Sequence, residues 1–127
     1  QFAVWGLAFK PQTDDMREAT ATVIIEYLVQ AGAGICAYDP EASKQAQESL
    51  SAYGESIRYV EHMMDALQDA DALIVITEWE QFRQPEFQEM KRRMRQPVIF
   101  DGRNQYEPKL LAERGFEYYC IGRSHYV

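Results

Sequence analysis

Cysteine and histidine are scarce in this sequence, and their scarcity limits the chemistry that it can support. The chain has two cysteines, Cys36 and Cys120, which lie far apart inside apolar runs, and two isolated histidines. This pattern predicts buried, reduced thiols and offers no cluster with the spacing of metal ligands. Neither cysteine has a histidine near it in sequence, and no serine lies in an elbow motif, so no nucleophile–base pair is recognisable.

Long apolar runs and an excess of positive charge are also missing. No stretch approaches the length of a membrane span and no signal-peptide pattern opens the chain, so we expect a cytoplasmic protein without a membrane partner. The net charge of -7 argues against a nucleic-acid partner, because phosphate backbones require a broad basic patch. The one dense basic run, residues 91–93 with Arg95, stands beside Phe87, Met90 and Met94 and predicts an amphipathic helix.

The glycine-rich fingerprint of dinucleotide-binding folds is absent as well. After the first apolar run only Gly6 is present, and Pro11, Asp14 and Asp15 occupy the following turn. Acidic residues in a first helical turn favour the helix dipole but repel phosphate. We therefore do not expect this chain to hold most of a dinucleotide by itself.

What the sequence does contain is a regular alternation of short apolar runs and segments with helical periodicity. The predicted strands are residues 2–8, 35–38, 57–60, 72–77, 97–100 and 116–121. The predicted helices are residues 17–30, 40–50, 63–70, 85–94 and 108–114. The order predicts the α/β class, as a three-layer Rossmann-like domain with a mostly parallel sheet of five to six strands flanked by helices.

The length and apolar content fit one domain. The 127 residues, 46% of them hydrophobic, suffice for a single core, and no linker or repeat divides them. The chain begins inside its first predicted strand without an initiator methionine. We expect residues 1–127 to be a single domain of a larger protein.

The first predicted helix carries apolar residues at the spacing of one helix face. These are Ala19, Val23, Tyr27 and Ala31, joined by Ile24 and Leu28. Gly32 and Gly34 are expected to end this helix.

Polar and charged residues follow several of the predicted strands. Ligands of open parallel sheets bind beyond the carboxyl ends of the strands, and here these ends contribute three cations, Lys10, Arg17 and Arg103. A charge-assisted hydrogen bond from such a cation contributes roughly 1.5–3 kcal/mol, so the pattern predicts a site for phosphate groups. Each cation also has a purely structural interpretation: a solvated turn for Lys10, an ion pair within its helix for Arg17, and pairing with Asp101 or Glu78 for Arg103.

Two further positions admit more than one role. Asp39, at the end of the second predicted strand, resembles a ribose-binding acid, but the following Pro40 favours the cap of a helix. Glu78 and Trp79 suit a general acid and a stacking ring, yet Trp79 with Phe82 is more typical of an apolar anchor, which we favour.

Six motifs occur in one order along the chain. They are GLAFKP at 6–11, TDDMRE at 13–18, YDP at 38–40, ADA at 70–72, TEW at 77–79 with Phe82, and DGRN at 101–104. Together they resemble the C-terminal domain of the UDP-glucose and GDP-mannose dehydrogenase family. The last two motifs are more similar to the UDP-glucose branch.

The resemblance implies an enzyme that oxidises UDP-glucose to UDP-glucuronate in two NAD-dependent steps at the sugar C6. In the family, a catalytic cysteine and its acid/base partners belong to the N-terminal and central domains, and neither Cys36 nor Cys120 matches its motif. The resemblance therefore implies no catalytic residue in this chain, which alone is expected to be inactive. It also implies that NAD is bound mainly by the N-terminal domain and that the full-length protein is a homodimer.

The resemblance further implies individual site residues. Phe9 and Lys10 match positions that contact the UDP-sugar, and Arg103 matches an arginine that reaches the same ligand from the dimer partner's domain. Arg17 matches a position that touches NAD. Gln12 stands where the family often has glycine, which leaves the shape of this turn open.

Two other hypotheses stay open from the sequence. The charged edge can instead pair only with neighbouring domains, as in a structural or dimerisation domain. A flavodoxin-like regulator is a third hypothesis, with Asp14 and Asp15 as its acidic cluster, but it lacks the expected strand-end lysine.

Overall fold

A computed structural model describes residues 1–8 and 20–120 of the chain, and these contain a six-stranded sheet. Its strands are β1 (Phe2–Trp5), β2 (Ile35–Tyr38), β3 (Ile57–Tyr59), β4 (Ala72–Val75), β5 (Val98–Asp101) and β6 (Glu117–Cys120). They lie in the order β3-β2-β1-β4-β5-β6, and every pairing is parallel. The predicted α/β, Rossmann-like fold is confirmed, with the reversal of strand order between β1 and β4.

Helical segments connect the strands. The α-helices are α1 (Thr20–Gln30), α2 (Ser43–Ser49), α3 (Phe87–Arg93) and α4 (Pro108–Glu113). Shorter 3₁₀ segments are Ser51–Ser56, Met63–Leu67 and Glu80–Phe82. The helix predicted over 63–70 is thus a single 3₁₀ segment, and α2 begins three residues after the predicted Pro40. None of the helices in these described ranges is long and apolar enough to span a bilayer.

The two faces of the sheet bury separate apolar clusters, because successive side chains of a strand point to opposite sides. In β1, Ala3 and Trp5 belong to the cluster under α3 and α4, whereas Val4 belongs to the cluster under α1 and α2. The Trp5 ring stacks on Phe82 with centroids 5.0 Å apart, and its indole N–H donates to the Met63 carbonyl at 2.8 Å. The fully buried large aromatic side chains therefore pack on the α3/α4 face.

The apolar face predicted for the first helix is only partly the buried one: Ile24 and Leu28 pack against the cluster under α1. Ala21 and Ile25 are fully buried against the sheet, whereas Val23 is 68% and Tyr27 74% exposed. The prediction was wrong for Val23 and Tyr27 because α1 is apolar on several sides, so spacing alone did not identify the side that meets the sheet.

The basic run is the outer side of an amphipathic helix, as predicted. Phe87 and Met90 of α3 are buried. On its outer side Arg93 pairs with Glu89 and with Asp65, each at 2.9 Å, and Arg92 also pairs with Glu89. These arginines are therefore compensated by carboxylates.

Candidate functional site

A groove of about 480 Å³ opens beside the carboxyl ends of β4, β5 and β6. Its apolar lining comes mostly from the α1 face of the sheet, where Phe100 stacks on Tyr119 with centroids 5.1 Å apart. Thr20 and Ile24 of α1 form another wall, and Arg103 lines it from the loop after β5. Phe100 is 39% exposed, because α1 and α2 pack over the β1–β3 half of this face. The groove therefore combines an apolar floor with one guanidinium.

The loop that carries Arg103 is organised by one buried carboxylate. Asp101, at the end of β5, is only 2% exposed. It accepts the backbone N–H groups of Arg103 at 2.9 Å, Gln105 at 2.6 Å and Tyr106 at 3.1 Å. The Tyr118 hydroxyl donates to the same carboxylate at 2.6 Å. The four hydrogen bonds offset much of the cost of removing the carboxylate from water, and the three from the backbone fix the path of the loop.

The Arg103 side chain itself lies at the surface and contacts Glu78. Its Nη2 is 3.4 Å from Glu78 Oε1, with side-chain exposures of 35% and 45%. Of the two pairings considered from the sequence, the ion pair with Glu78 is observed, whereas Asp101 accepts the backbone N–H of Arg103. An exposed ion pair of this kind contributes only about 0–1 kcal/mol, so it leaves the guanidinium available for a stronger anion.

The end of β1 is held next to this loop. Gly6 has a φ of +95°, which ends β1 at Trp5 and not at residue 8 as predicted. The buried Thr77 hydroxyl donates to the Ala8 carbonyl at 2.7 Å, and the Gln105 side-chain amide donates to the Thr77 carbonyl at 3.2 Å. Thr77 therefore links the residues just before segment 9–19 to the Arg103 loop.

Asp39 holds the end of β1 from the opposite side. Its Oδ1 accepts the N–H groups of Glu41 and Ala42 at 2.8 and 2.7 Å, and Oδ2 accepts those of Leu7 and Ala8 at 2.7 and 3.4 Å. The favoured capping role is observed, although the capped turn precedes α2 and does not belong to it. Both oxygens are used in this way, which argues against binding a ribose.

The other candidates from the sequence fall into two groups. Phe9, Lys10 and Arg17 lie outside the described residues. Phe82 is fully buried and Trp79 packs against the same cluster, so the interpretation as an apolar anchor is confirmed.

The two cysteines form no disulfide in the part of the chain that the structure describes. Both are free thiols, Cys36 buried in β2 and Cys120 half-buried in β6. Burial raises the pKa of the Cys36 thiol, although the Arg58 guanidinium, 3.7 Å from Sγ, acts in the opposite direction. Within residues 1–8 and 20–120, no three His, Cys, Asp or Glu side chains are grouped as a metal site would need.

Sequence analysis missed four residues of this site. Thr77 was noted only as part of a motif, Gln105 was not noted, and the pair Tyr118–Tyr119 had no informative spacing. Their contacts join different strands, and no local pattern in the sequence reports them.

Comparison with known proteins identifies the family. Residues 3–108 match the family described as "UDP-glucose/GDP-mannose dehydrogenase family, UDP binding domain". The chain is 46% identical over 123 residues to a UDP-glucose 6-dehydrogenase of Pseudomonas aeruginosa, an alignment that covers 95% of this chain and 27% of that protein. It is 40% identical over 123 residues to the UDP-glucose 6-dehydrogenase of Rhizobium meliloti, covering 97% of this chain and 27% of that protein.

A solved structure agrees with these relatives. The structure of a UDP-glucose dehydrogenase from Pyrobaculum islandicum superposes with a TM-score of 0.77 at 31% identity, covering 97% of this chain and 25% of that one. The chain thus spans about a quarter of the length of the proteins it matches. From the family match and the Rossmann-like sheet, we conclude that the chain belongs to the UDP-glucose/GDP-mannose dehydrogenase family, as its UDP binding domain.

Proposed function

We propose that the carboxyl edge of this sheet binds the diphosphate of a UDP-sugar, with Arg103 as one of its cations. One observation carries the proposal: Asp101 and Thr77 place the Arg103 loop beside the residue that leads into segment 9–19. Thr20, which follows that segment, lines the same groove as Arg103. Phe9 and Lys10 belong to the segment, and we propose that they contact the same ligand as Arg103 of their own chain. This proposal differs from the family resemblance, which implies that Arg103 reaches the ligand from the dimer partner's domain.

The proposal extends to the complete protein. Its relatives are UDP-glucose 6-dehydrogenases about four times as long as the alignment. We therefore propose that the whole enzyme, and not this domain alone, binds NAD and oxidises UDP-glucose to UDP-glucuronate. Arg17 is proposed to touch NAD from this domain. The chain alone is expected not to reduce NAD, and we propose a cytoplasmic homodimer for the full-length protein.

The apolar surface around α1 supports contact with the other domains. Val23 and Tyr27 expose most of their side chains, and Phe100 exposes part of its ring nearby in the fold. Val23 and Tyr27 are four residues apart on α1 and so lie next to each other on its surface, and contiguous exposed apolar patches mark interaction sites. We propose that the N-terminal and central domains of the same polypeptide cover it.

A titration with UDP and with uridine tests the proposed ligand. We expect weak binding of UDP and at least about tenfold weaker binding of uridine, because the charged hydrogen bonds go to phosphate. Calorimetry or amide chemical shifts of the chain measure both. If UDP and uridine bind equally, or neither binds at millimolar concentration, the edge serves only as a structural or dimerisation surface.

Glu78 is expected to oppose the ligand. Its Oε1 lies 3.4 Å from Nη2 of Arg103, so the carboxylate competes with an anionic ligand for the guanidinium. It also adds a negative charge beside the proposed diphosphate. The Glu78→Gln variant should therefore bind UDP about two- to fivefold more tightly, the range expected from releasing an exposed ion pair.

The control for this variant is Glu80→Gln, which removes the same charge from an exposed position two residues further along the chain. Its UDP affinity should change less than that of Glu78→Gln. Weaker binding by Glu78→Gln would show that Glu78 helps the ligand and would contradict the proposed competition.

A further inference from the structure

Tyr118 lies behind the proposed site and reaches it only through Asp101. The tyrosine is fully buried in β6, and its hydroxyl donates to Asp101 Oδ2 at 2.6 Å, with the Tyr106 carbonyl oxygen 3.2 Å from the same hydroxyl. Its ring packs edge-on against Tyr106 with centroids 6.1 Å apart. The hydroxyl therefore touches both the carboxylate that organises the loop and the last residue of the loop.

The same carboxylate oxygen also holds the loop backbone. Asp101 Oδ2 accepts the N–H groups of Gln105 and Tyr106, while Oδ1 accepts that of Arg103. The loop includes Asn104 at a φ of +55°, a conformation that is uncommon outside glycine. The Tyr118 hydroxyl adds a fourth donor to this carboxylate, from the neighbouring strand β6, and so further restrains its rotation.

The Tyr118 hydroxyl is suited to be that donor. Burial and the hydrogen bond to the Asp101 carboxylate both raise the pKa of Tyr118 above its ordinary value. The hydroxyl therefore keeps its proton at neutral pH and can donate it to Asp101.

We propose that Tyr118 is a positioning residue for Arg103, acting through Asp101. The inference rests on the proposed function, because it gives Arg103 a ligand to reach. Tyr118 sets the orientation of the Asp101 carboxylate, the carboxylate sets the backbone of residues 103–106, and the backbone sets where the guanidinium lies. Tyr118 itself contacts no part of the ligand.

The test is a double-mutant cycle on UDP affinity with Tyr118→Phe and Arg103→Ala. Tyr118→Phe keeps the buried ring and removes only the hydroxyl, and it should weaken UDP binding about three- to tenfold. If it acts through Arg103, the double variant should bind UDP as weakly as Arg103→Ala alone, within about twofold. Tyr38→Phe is the matched control: it removes a hydroxyl bonded to Gln81 at 2.9 Å on the same face of the sheet, and it should leave the affinity unchanged.

The outcomes separate this inference from the proposed function. Additive losses in the double variant, or unchanged affinity in Tyr118→Phe, would overturn the positioning role while Arg103 kept its role in binding. Unchanged affinity in Arg103→Ala would overturn both. Asp101→Asn provides a second cycle with Arg103→Ala and the same expected non-additivity, and thermal unfolding of each variant confirms that the fold is kept.

Discussion

Replacing Gly6 with alanine is expected to destabilise the fold by roughly 2–5 kcal/mol, the sum of left-handed backbone strain and steric overlap. Gly6 has a φ of +95°, and a Cβ built there would lie 2.6 Å from the Thr77 backbone nitrogen and 2.5 Å from Thr77 Cβ. The backbone nitrogen of Thr77, two residues after β4, cannot move aside as the tip of a flexible side chain can. Urea denaturation of the variant and of the unchanged chain measures the difference.

Gly32 provides the matched control for this prediction. Its φ is +98°, but an added Cβ would meet nothing within 4 Å. Gly32→Ala should therefore show only the cost of the left-handed backbone, about 1–2 kcal/mol. Equal destabilisation of the two variants would show that the close approach of Gly6 to Thr77 contributes nothing.

The close approach also has a functional consequence. It brings the end of β1 against the end of β4, where the Thr77 hydroxyl holds the Ala8 carbonyl at 2.7 Å. Ala8 directly precedes Phe9 and Lys10 in the sequence. The residue before the two proposed ligand contacts is therefore held in place by Thr77.

The parallel sheet was predictable because buried parallel strands are apolar on both faces. The run 72–77 is uninterrupted, and the structure makes its first four residues, Ala72–Val75, a central strand. Strand ends were less predictable. The conformation of Gly6, which ends β1, depends on its contact with Thr77, 71 residues away in sequence.

The orientation of α1 could not be obtained from spacing. Ala21 and Ile25 face the sheet, while Val23 and Tyr27 are exposed, although all four are suited to a core. An amphipathic pattern identifies a buried face only when the opposite face is polar. The outer face of α1 is not polar, because it carries Val23 and Tyr27, which we propose to contact further domains.

The position of Arg103 after a strand was predictable from the sequence, whereas the contacts that hold its loop were not. Arg103 follows a predicted strand, and the position of Asp101 before it was visible in the DGRN motif. The hydrogen bond from Tyr118 joins residues 17 positions apart across two strands. The same holds for Asp39. Its capping of the following turn was predicted from the sequence, but the hydrogen bond that it accepts from the Leu7 N–H joins residues 32 positions apart.

The central claim is that a cation at the carboxyl edge of the sheet binds the UDP diphosphate. Removing Arg103 should cost at least one charge-assisted hydrogen bond, so Arg103→Ala is expected to bind UDP about ten- to a hundredfold more weakly. Arg95 is the matched control, because it is also a surface arginine paired with a carboxylate at 3.4 Å but precedes β5 and so lies at the amino edge. Arg95→Ala should change the affinity by no more than about twofold.

The most direct measurement is therefore the dissociation constant of UDP for these two variants and for the unchanged chain, determined in one buffer at one ionic strength. The account predicts a large loss of UDP affinity for Arg103→Ala and no such loss for Arg95→Ala. Equal affinities for the two variants, or a greater loss for Arg95→Ala, would contradict it.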